Sequence, residues 1–282
     1  MRLYLLSMNN KPSRALEIRL SQLTRLMQRI SSLYNKQVGP KLKSTFGHQH
    51  CYLCHQYCAS IVCQFCLDRL AEIGFGQHPS STLDLLRNPA TLKNLDTPNY
   101  DHLYAIDNYV WPLDKLILDM KFGHQSVAAR ALACLFMHFV YSSLRRQANT
   151  EIANSSQDAC KQPLIPQLLV PVPLSNKRYW KRQCNQAQLL SEWLSKGTLI
   201  PNEAIVQRFK HTQAQSELDK QQRIENVSNA FKCDSIISVQ HLGLIDDVIT
   251  TGVTINAVCS AIKKRNPNVK ITVWTMAITL LK

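Results

Sequence analysis

Acidic residues are scarce in this chain: 19 Asp and Glu stand against 33 Lys and Arg, which leaves a formal net charge of +14 at pH 7. This charge points to a polyanionic partner such as nucleic acid, or to an anionic membrane surface. Apolar stretches of about 20 residues are also missing, so we expect no transmembrane helix. The apolar run Leu3–Leu6 is too short for the core of a signal peptide.

The lack of a secretory signal bears on the ten cysteines of the chain. Without export, thiols stay reduced and serve metal binding or packing rather than disulfides. We therefore predict a cytoplasmic protein, with the inner face of the membrane as an alternative location. The 282 residues, 45% of them hydrophobic, allow one large domain or a packed core with a small module.

A phosphate-binding pattern is present, although it is not a Walker loop, because no Gly-Lys-Ser/Thr lies in it. It occupies Leu242–Thr254, whose apolar first half predicts a short buried strand. Asp246 and Asp247 follow at the point where we expect that strand to end. Beyond them lie five loop residues, Thr250, Thr251, Gly252, Val253 and Thr254, and then the helical pattern of Ile255–Lys264.

A strand, an acidic pair, a turn and a helix form the layout of a phosphate site in an open α/β sheet. The first N–H groups of a helix have no intrahelical acceptor and carry the positive end of its dipole, so they favour a phosphate. Gly252 lets the backbone approach closely, and the threonine hydroxyls are further donors. The two carboxylates suit the cis hydroxyls of a ribose. The alternative interpretation is an ordinary buried strand and turn.

Two cysteine pairs near the N-terminus have the spacing of a metal site. They are Cys51 with Cys54 and Cys63 with Cys66, separated by eight residues. Thiolates two residues apart fit neighbouring corners of a tetrahedral metal, so we predict a structural Cys₄ zinc site that fixes a segment too small for its own core. Four reduced cysteines in a core are the alternative. Substitute ligands are available in the same segment: Cys58, His48, His50 and His55.

A lysine lies at the turn between two predicted helices, Trp111–Met120 and Val127–Leu144. At such a turn Lys121 is suited to bind pyrophosphate, but it is equally consistent with a surface lysine at a helix end. A strand is predicted before these helices, at Tyr104–Tyr109. The polar stretch Arg145–Pro166 after them predicts a surface insertion or a flexible loop.

A basic segment with two adjacent aromatic residues follows the predicted strand Leu168–Leu174. It consists of Lys177, Arg178, Tyr179, Trp180, Lys181 and Arg182. Cations for the backbone and rings for bases predict a single-strand DNA-binding surface. The same residues also suit a mobile loop that closes over pyrophosphate, or a solvated basic loop. We predict a helix from Asn185 to about Ser195 and a last strand at Val269–Ala277.

The motifs in combination resemble the ComF/ComFC competence family, also known as GntX-like proteins, over about residues 50–280. The resemblance rests on the cysteine pairs, the Lys121-Phe122 turn, the LIDDVITTGVT stretch, the PVPL strand and a set of polar and aromatic residues. These are Arg178, Arg182, Asn185, Gln186, Arg208, Thr212, Gln215, Arg223, Asn226 and Phe231. Where the family usually has Arg-Gly-Phe-Asn-Gln, this chain has Arg-Gln-Cys-Asn-Gln at 182–186.

The resemblance implies an α/β protein with a type I phosphoribosyltransferase-like, open and mostly parallel sheet, flanking helices and a small N-terminal Cys₄ zinc module. We divide the chain into four parts: a basic amphipathic extension at 1–46, a Cys₄ zinc finger at 47–76, a linker with at most a short helix at 77–99, and the phosphoribosyltransferase-like domain at 100–282. The apolar face of the extension is suited to the core, to a partner or to a membrane, although a solvated extension fits equally well.

The resemblance also implies the ligands and the roles of the site residues. Phosphoribosyl pyrophosphate with Mg²⁺ would be held by Thr250–Thr254 at its 5-phosphate and by Asp246 and Asp247 at its ribose hydroxyls. Lys121, or the cations at 177–182, would stabilise leaving pyrophosphate.

Members of the family are associated with natural transformation, in which they handle single-stranded DNA together with a ComFA-like helicase and recombination loaders. One alternative is a catalytically active phosphoribosyltransferase of nucleotide salvage or biosynthesis. Another is a scaffold that bridges a helicase and a recombinase through the N-terminus. The fold alone does not decide among these functions.

Overall fold

The computed structural model describes residues 49–77, 83–123, 125–154, 165–174, 184–209 and 230–279, with the backbone alone at 125 and 151–154. Several predicted features therefore lie outside the described residues. They are the extension at 1–46, His48, the basic aromatic segment 177–182, Thr212, Gln215, Arg223 and Asn226.

The elements alternate between strands and helices for most of the chain. In chain order they are β1 (Gln49–His50), β2 (Tyr57–Cys58), α1 (Gln64–Glu72), a 3₁₀ turn (Leu85–Arg87), α2 (Pro89–Asn94), β3 (His102–Asn108), α3 (Leu113–Phe122), α4 (Gln125–Phe136), a π turn (Met137–Tyr141), α5 (Ser142–Asn154), β4 (Leu168–Pro171), α6 (Gln186–Thr198), β5 (Val206–Arg208), β6 (Phe231–Cys233), β7 (His241–Ile249), α7 (Val253–Arg265) and β8 (Lys270–Ile278).

Four of these strands form the central sheet, in the order β3-β8-β7-β4, and every neighbouring pair is parallel. Strands in such a sheet are covered on both faces, so they consist of nearly continuous apolar residues. In β7, Leu242, Leu244 and Ile245 are fully buried, and Ile271, Val273 and Trp274 are fully buried in β8. The predicted α/β architecture with a parallel sheet and flanking helices is confirmed.

One face of the sheet is covered by α3, α4, the π turn, α5 and α6. Trp274 of β8 is the largest fully buried side chain on this face. Its ring centroid lies 5.1 Å from that of Phe136 and 5.9 Å from that of Tyr141. The opposite face is covered by α7, by the antiparallel pair β5–β6, and by apolar residues between 85 and 100.

The helix after Lys121 is longer than the sequence predicts. It was predicted to end at Leu144, but it continues through the π turn to Asn154, so the first part of the expected polar insertion is helical. Within the described residues, Ser126–Thr150 alone is long and apolar enough to cross a membrane, with a mean hydropathy of 1.5. More than half of its most apolar window, 56%, is buried inside the protein, so its apolar residues are explained by packing on the sheet.

The cysteine module, residues 49–77, shares the core of the helical face. Its buried residues Ile61, Val62 and Leu70 belong to the same apolar cluster as the helices. Tyr52 donates a hydrogen bond from its hydroxyl to Asp119 Oδ2 of α3 at 3.1 Å. These contacts connect the module to the sheet domain through packing as well as through the chain.

Gly243, in the central strand β7, has no space for a side chain. A methyl group there would lie 2.9 Å from Pro166 Cγ and 3.0 Å from Leu169 Cδ2. We expect Gly243→Ala to lower the free energy of unfolding by about 1–3 kcal/mol, because the added carbon overpacks the core. Urea denaturation measures this loss.

Gly197→Ala in α6 is the matched control, since a methyl group there would meet Met137 at ordinary contact distances of 3.4–3.5 Å. Alanine is favoured over glycine inside a helix, so stability should stay equal or rise by up to about 1 kcal/mol. Equal losses in the two variants would contradict the close packing of β4 on β7.

Candidate functional site

The acidic pair lies inside β7 rather than beyond it. The sequence placed Asp246 and Asp247 after the end of the strand, but β7 continues to Ile249, because its last residues still pair with β8. Asp246 Oδ1 accepts from the backbone N–H of Asp247, and Asp247 Oδ1 accepts from that of Val248, both at 2.9 Å. Both carboxylates are half-buried at the carboxyl end of the sheet.

Lys121 lies in the last turn of α3 and contacts this pair. Its Nζ is 2.8 Å from Asp247 Oδ2, and each side chain is only 16% exposed. Burial and the negative charge of Asp247 raise the pKa of Asp246 well above its usual value, against the opposing effect of Lys121. Asp246 therefore ionises less readily than an isolated carboxyl group, and the ammonium group of Lys121 offsets part of the negative charge at this position.

The loop after β7 turns sharply at Gly252, which has a left-handed backbone with a φ of +77°. Glycine adopts this conformation without steric cost, and α7 begins at the next residue. Thr250 and Thr251 are exposed. A small cavity of about 50 Å³ is lined by Asp246 and by residues 248–255. Since the first N–H groups of α7 have no intrahelical acceptor, this cavity suits an anion.

A larger cavity of about 410 Å³ adjoins the same carboxyl ends. Its lining includes seven of the predicted site residues: Lys121, Asp246, Asp247, Thr250, Thr251, Val253 and Thr254. Gly252 lines the smaller cavity. The fold thus places residues from α3, β7 and the start of α7 around one opening.

The larger cavity has further lining residues that were not predicted as site residues. They are Tyr109, Val172, Pro173, Leu174, Asn185, Gln186, Ala187, Arg208, Val248 and Thr279. For Asn185, Gln186 and Arg208, the family resemblance is the signal in the sequence. Tyr109 follows β3 and Thr279 follows β8. The rule that ligands bind at the carboxyl ends of parallel strands is therefore the signal that identifies these two residues.

Arg208 is held at the end of β5 by the neighbouring strand. Its guanidinium carbon lies 5.1 Å from the ring centroid of Phe231, which is the position directly across the antiparallel pair. Stacking on a ring fixes the orientation of a guanidinium. The cavity therefore has a second cation besides Lys121.

The four predicted cysteines lie together in the cysteine module. The sulfurs of Cys51, Cys54, Cys63 and Cys66 are all within 4.8 Å of one another. The Sγ–Sγ distance is 3.9 Å from Cys51 to Cys66 and 3.6 Å from Cys54 to Cys63. A tetrahedral zinc ion with Zn–S bonds of about 2.3 Å separates its sulfurs by about 3.8 Å, so the four thiols fit such an ion.

The thiols of the cluster differ in their pKa values. Burial opposes ionisation of Cys51, but the backbone N–H groups of Cys54, Cys63 and Leu53 lower its pKa to about 6. Burial and the neighbouring thiols raise the pKa of Cys63 and that of Cys66. Two of the alternative ligands make other contacts: the Cys58 thiol donates to Ser60 O at 3.0 Å, and His50 Nδ1 lies 2.9 Å from His55 O.

Comparison with known proteins identifies relatives that are similar over most of the chain. The chain is 32% identical over 220 residues to Competence protein F of Haemophilus influenzae, which covers 77% of this chain and 90% of that protein. The chain belongs to the ComF/ComFC competence family.

Other members of the family are similar over a shorter length. The DNA utilization protein YhgH of Salmonella typhimurium and that of Escherichia coli K12 are each 30% identical, over 65% of this chain and 74% of those proteins. No protein-family model and no solved structure matches the chain.

We expect Cys54→Ser to lose the metal of this ComF-family protein and to lower its melting temperature by about 5 °C or more, because the module shares the core of the sheet domain. Metal content by atomic emission and thermal unfolding by circular dichroism measure the two effects. Cys58→Ser is the control, since its thiol lies outside the cluster and should affect neither quantity. If Cys54→Ser kept its metal, the assignment of the ligands would be refuted.

Proposed function

We propose that this protein handles incoming single-stranded DNA in the cytoplasm during natural transformation and that its cavity binds phosphoribosyl pyrophosphate. The observation that carries the proposal is the convergence of Lys121, the acidic pair and the loop at 250–254 on one cavity. The names of the relatives, a competence protein and DNA utilization proteins, support the DNA-related role. A ComFA-like helicase and recombination loaders are the partners that the family resemblance implies.

Each part of phosphoribosyl pyrophosphate has matching residues in this chain. The N–H groups and hydroxyls of the loop at 250–254 suit the 5-phosphate. Asp246 and Asp247 suit the ribose hydroxyls, because carboxylates accept hydrogen bonds from a diol. Lys121 and Arg208 are the cations for the pyrophosphate, and Mg²⁺ bound with it would neutralise its remaining charge.

The DNA strand needs a different surface, because the cavity itself contains two carboxylates. The segment 177–182 has four cations and two aromatic residues. Leu174, three residues before it, and Asn185, three residues after it, line the cavity. Single-strand binding combines such cations for phosphates with rings for bases. The cysteine cluster is assigned to a structural zinc ion, because four thiolate ligands leave no open coordination position.

We expect the wild-type protein to bind phosphoribosyl pyrophosphate with Mg²⁺ and Asp247→Asn to weaken this binding about 10- to 100-fold, because a charged hydrogen bond to the ribose is lost. Isothermal titration calorimetry measures the affinity. Asp234→Asn is the matched control, since Asp234 is exposed and pairs with Lys232 on the surface. Absence of binding by the wild-type protein would reject the assigned ligand.

We expect single-stranded DNA binding to weaken steeply with salt, because cations displace counterions from the backbone. Replacing Lys177, Arg178, Lys181 and Arg182 by Ala should reduce the slope of log K against log salt by about 0.7 for each cation that contacts a phosphate. A control with the same charge change replaces four exposed cations elsewhere: Lys93, Lys232, Lys264 and Arg265. Equal slopes for the two variants, measured by gel-shift titration, would exclude the segment as the DNA site.

A catalytically active phosphoribosyltransferase is the second candidate function. The observation in its favour is the size of the larger cavity, about 410 Å³, which gives room for an acceptor beside the sugar. Pyrophosphate release tested with a panel of bases and amines, for the wild type and Asp247→Asn, distinguishes the two candidates. Release that depends on Asp247 supports transfer, whereas no release with any acceptor leaves the binding role.

A further inference from the structure

A strap of six residues, Leu95–Tyr100, packs beneath the loop at 250–254, which is the proposed phosphate loop. The backbone N–H of Asp96 donates to the carbonyl oxygen of Thr251 at 2.9 Å. The side chains of Leu95 and Tyr100 are buried and lie directly under Gly252, where an added methyl group would be 3.4 Å from Leu95 Cδ2 and 3.6 Å from the Tyr100 hydroxyl. The strap therefore contacts both the backbone and the open side of the turn.

Asn256, in the first turn of α7, binds this strap through both ends of its side-chain amide. Its Oδ1 accepts from the backbone N–H of Asn99 at 3.0 Å. Its Nδ2 donates to the carbonyl oxygens of Asp96 and Thr97. Its own backbone N–H donates to Gly252 O at 2.9 Å, which is the first intrahelical bond of α7. One residue thus connects the strap, the turn and the helix.

The orientation of one peptide group follows from these contacts. In a planar trans peptide the C=O and N–H groups point in opposite directions. Because Asp96 holds the carbonyl of Thr251 on the strap side, the N–H of Gly252 points away from the strap. Gly252 also lines the small cavity of about 50 Å³. A strap that moved would release this peptide and leave the N–H groups of the loop without a fixed direction.

We propose that Asn256 is a positioning residue that holds the strap Leu95–Tyr100 against the phosphate loop and so preorganises the loop N–H groups for a phosphate ester. The inference rests on the proposed function of the same site, and it adds a residue that touches no ligand. Binding is tighter when the donors are fixed before the ligand arrives, because the ordering cost is already met by the fold.

The same helix offers a matched control in Asn266, which makes equivalent contacts at its far end. Asn266 Oδ1 accepts from the N–H of Ile237 at 2.9 Å, and its Nδ2 donates to Ser235 O at 3.1 Å. Each asparagine therefore connects α7 to a neighbouring segment through its Oδ1 and Nδ2. Asn266 does so away from the cavity, so Asn266→Ala measures the effect of lower stability alone.

The experiment compares wild type, Asn256→Ala and Asn266→Ala in three measurements. Calorimetry with ribose 5-phosphate should give an affinity about tenfold weaker for Asn256→Ala and unchanged for Asn266→Ala. Thermal unfolding should show similar decreases in melting temperature for the two variants. Backbone ¹⁵N relaxation by NMR, without ligand, should give lower order parameters at residues 251–254 in Asn256→Ala alone.

The outcomes separate this inference from the proposed function. If the wild type binds neither ribose 5-phosphate nor phosphoribosyl pyrophosphate, the proposed function fails, and the order parameters of the loop still test the role of Asn256. If the order parameters of residues 251–254 are unchanged in Asn256→Ala, the positioning role is overturned. Equal losses of affinity in both variants would also overturn it, since they would show a general effect of lower stability.

Discussion

The ion pair between Lys121 and Asp247 is the contact on which the site depends. Two adjacent carboxyl groups in a half-buried position repel each other and lose solvation, as the raised pKa of Asp246 reflects. The ammonium group of Lys121, 2.8 Å from Asp247 Oδ2, offsets part of this repulsion. To supply that cation, α3 must end at the carboxyl edge of the sheet. The end of α3 therefore matches the charge of β7, although the two elements are far apart in the chain.

The loop at 250–254 has a different kind of support, based on backbone contacts. Its turn requires the left-handed conformation of Gly252, and its carbonyls are held by the strap and by Asn256. Charges would attract an anion without these contacts, but they would not orient the N–H groups. The site thus combines charged side chains with backbone N–H groups whose direction is fixed by the fold.

Much of this arrangement is present in the sequence as local pattern. The apolar periodicity predicts the four strands of the sheet, and the cysteine spacing predicts a cluster whose sulfurs are close together. Long-range contacts have no such local signal. The strap meets Asn256 and Thr251 across more than 150 residues of chain, and nothing in its polar composition, interpreted as a linker, indicates that Leu95 and Tyr100 are buried. The extension of β7 through Asp246 likewise depends on pairing with β8, and the helical turns of 145–154 have a solvated composition that resembles a loop.

Helix α3 connects the cysteine module to the cavity because its two faces have different partners. Asp119 accepts the hydrogen bond of Tyr52, which is next to the buried Cys51 of the cysteine cluster. Lys121, two residues later, contacts Asp247 instead. Residues at i and i+2 of a helix point in different directions, so one side of α3 can rest on the module while the other presents its lysine to the acidic pair. The cysteine module therefore does more than close a small N-terminal segment, because the helix that packs on it also carries the lysine of the cavity.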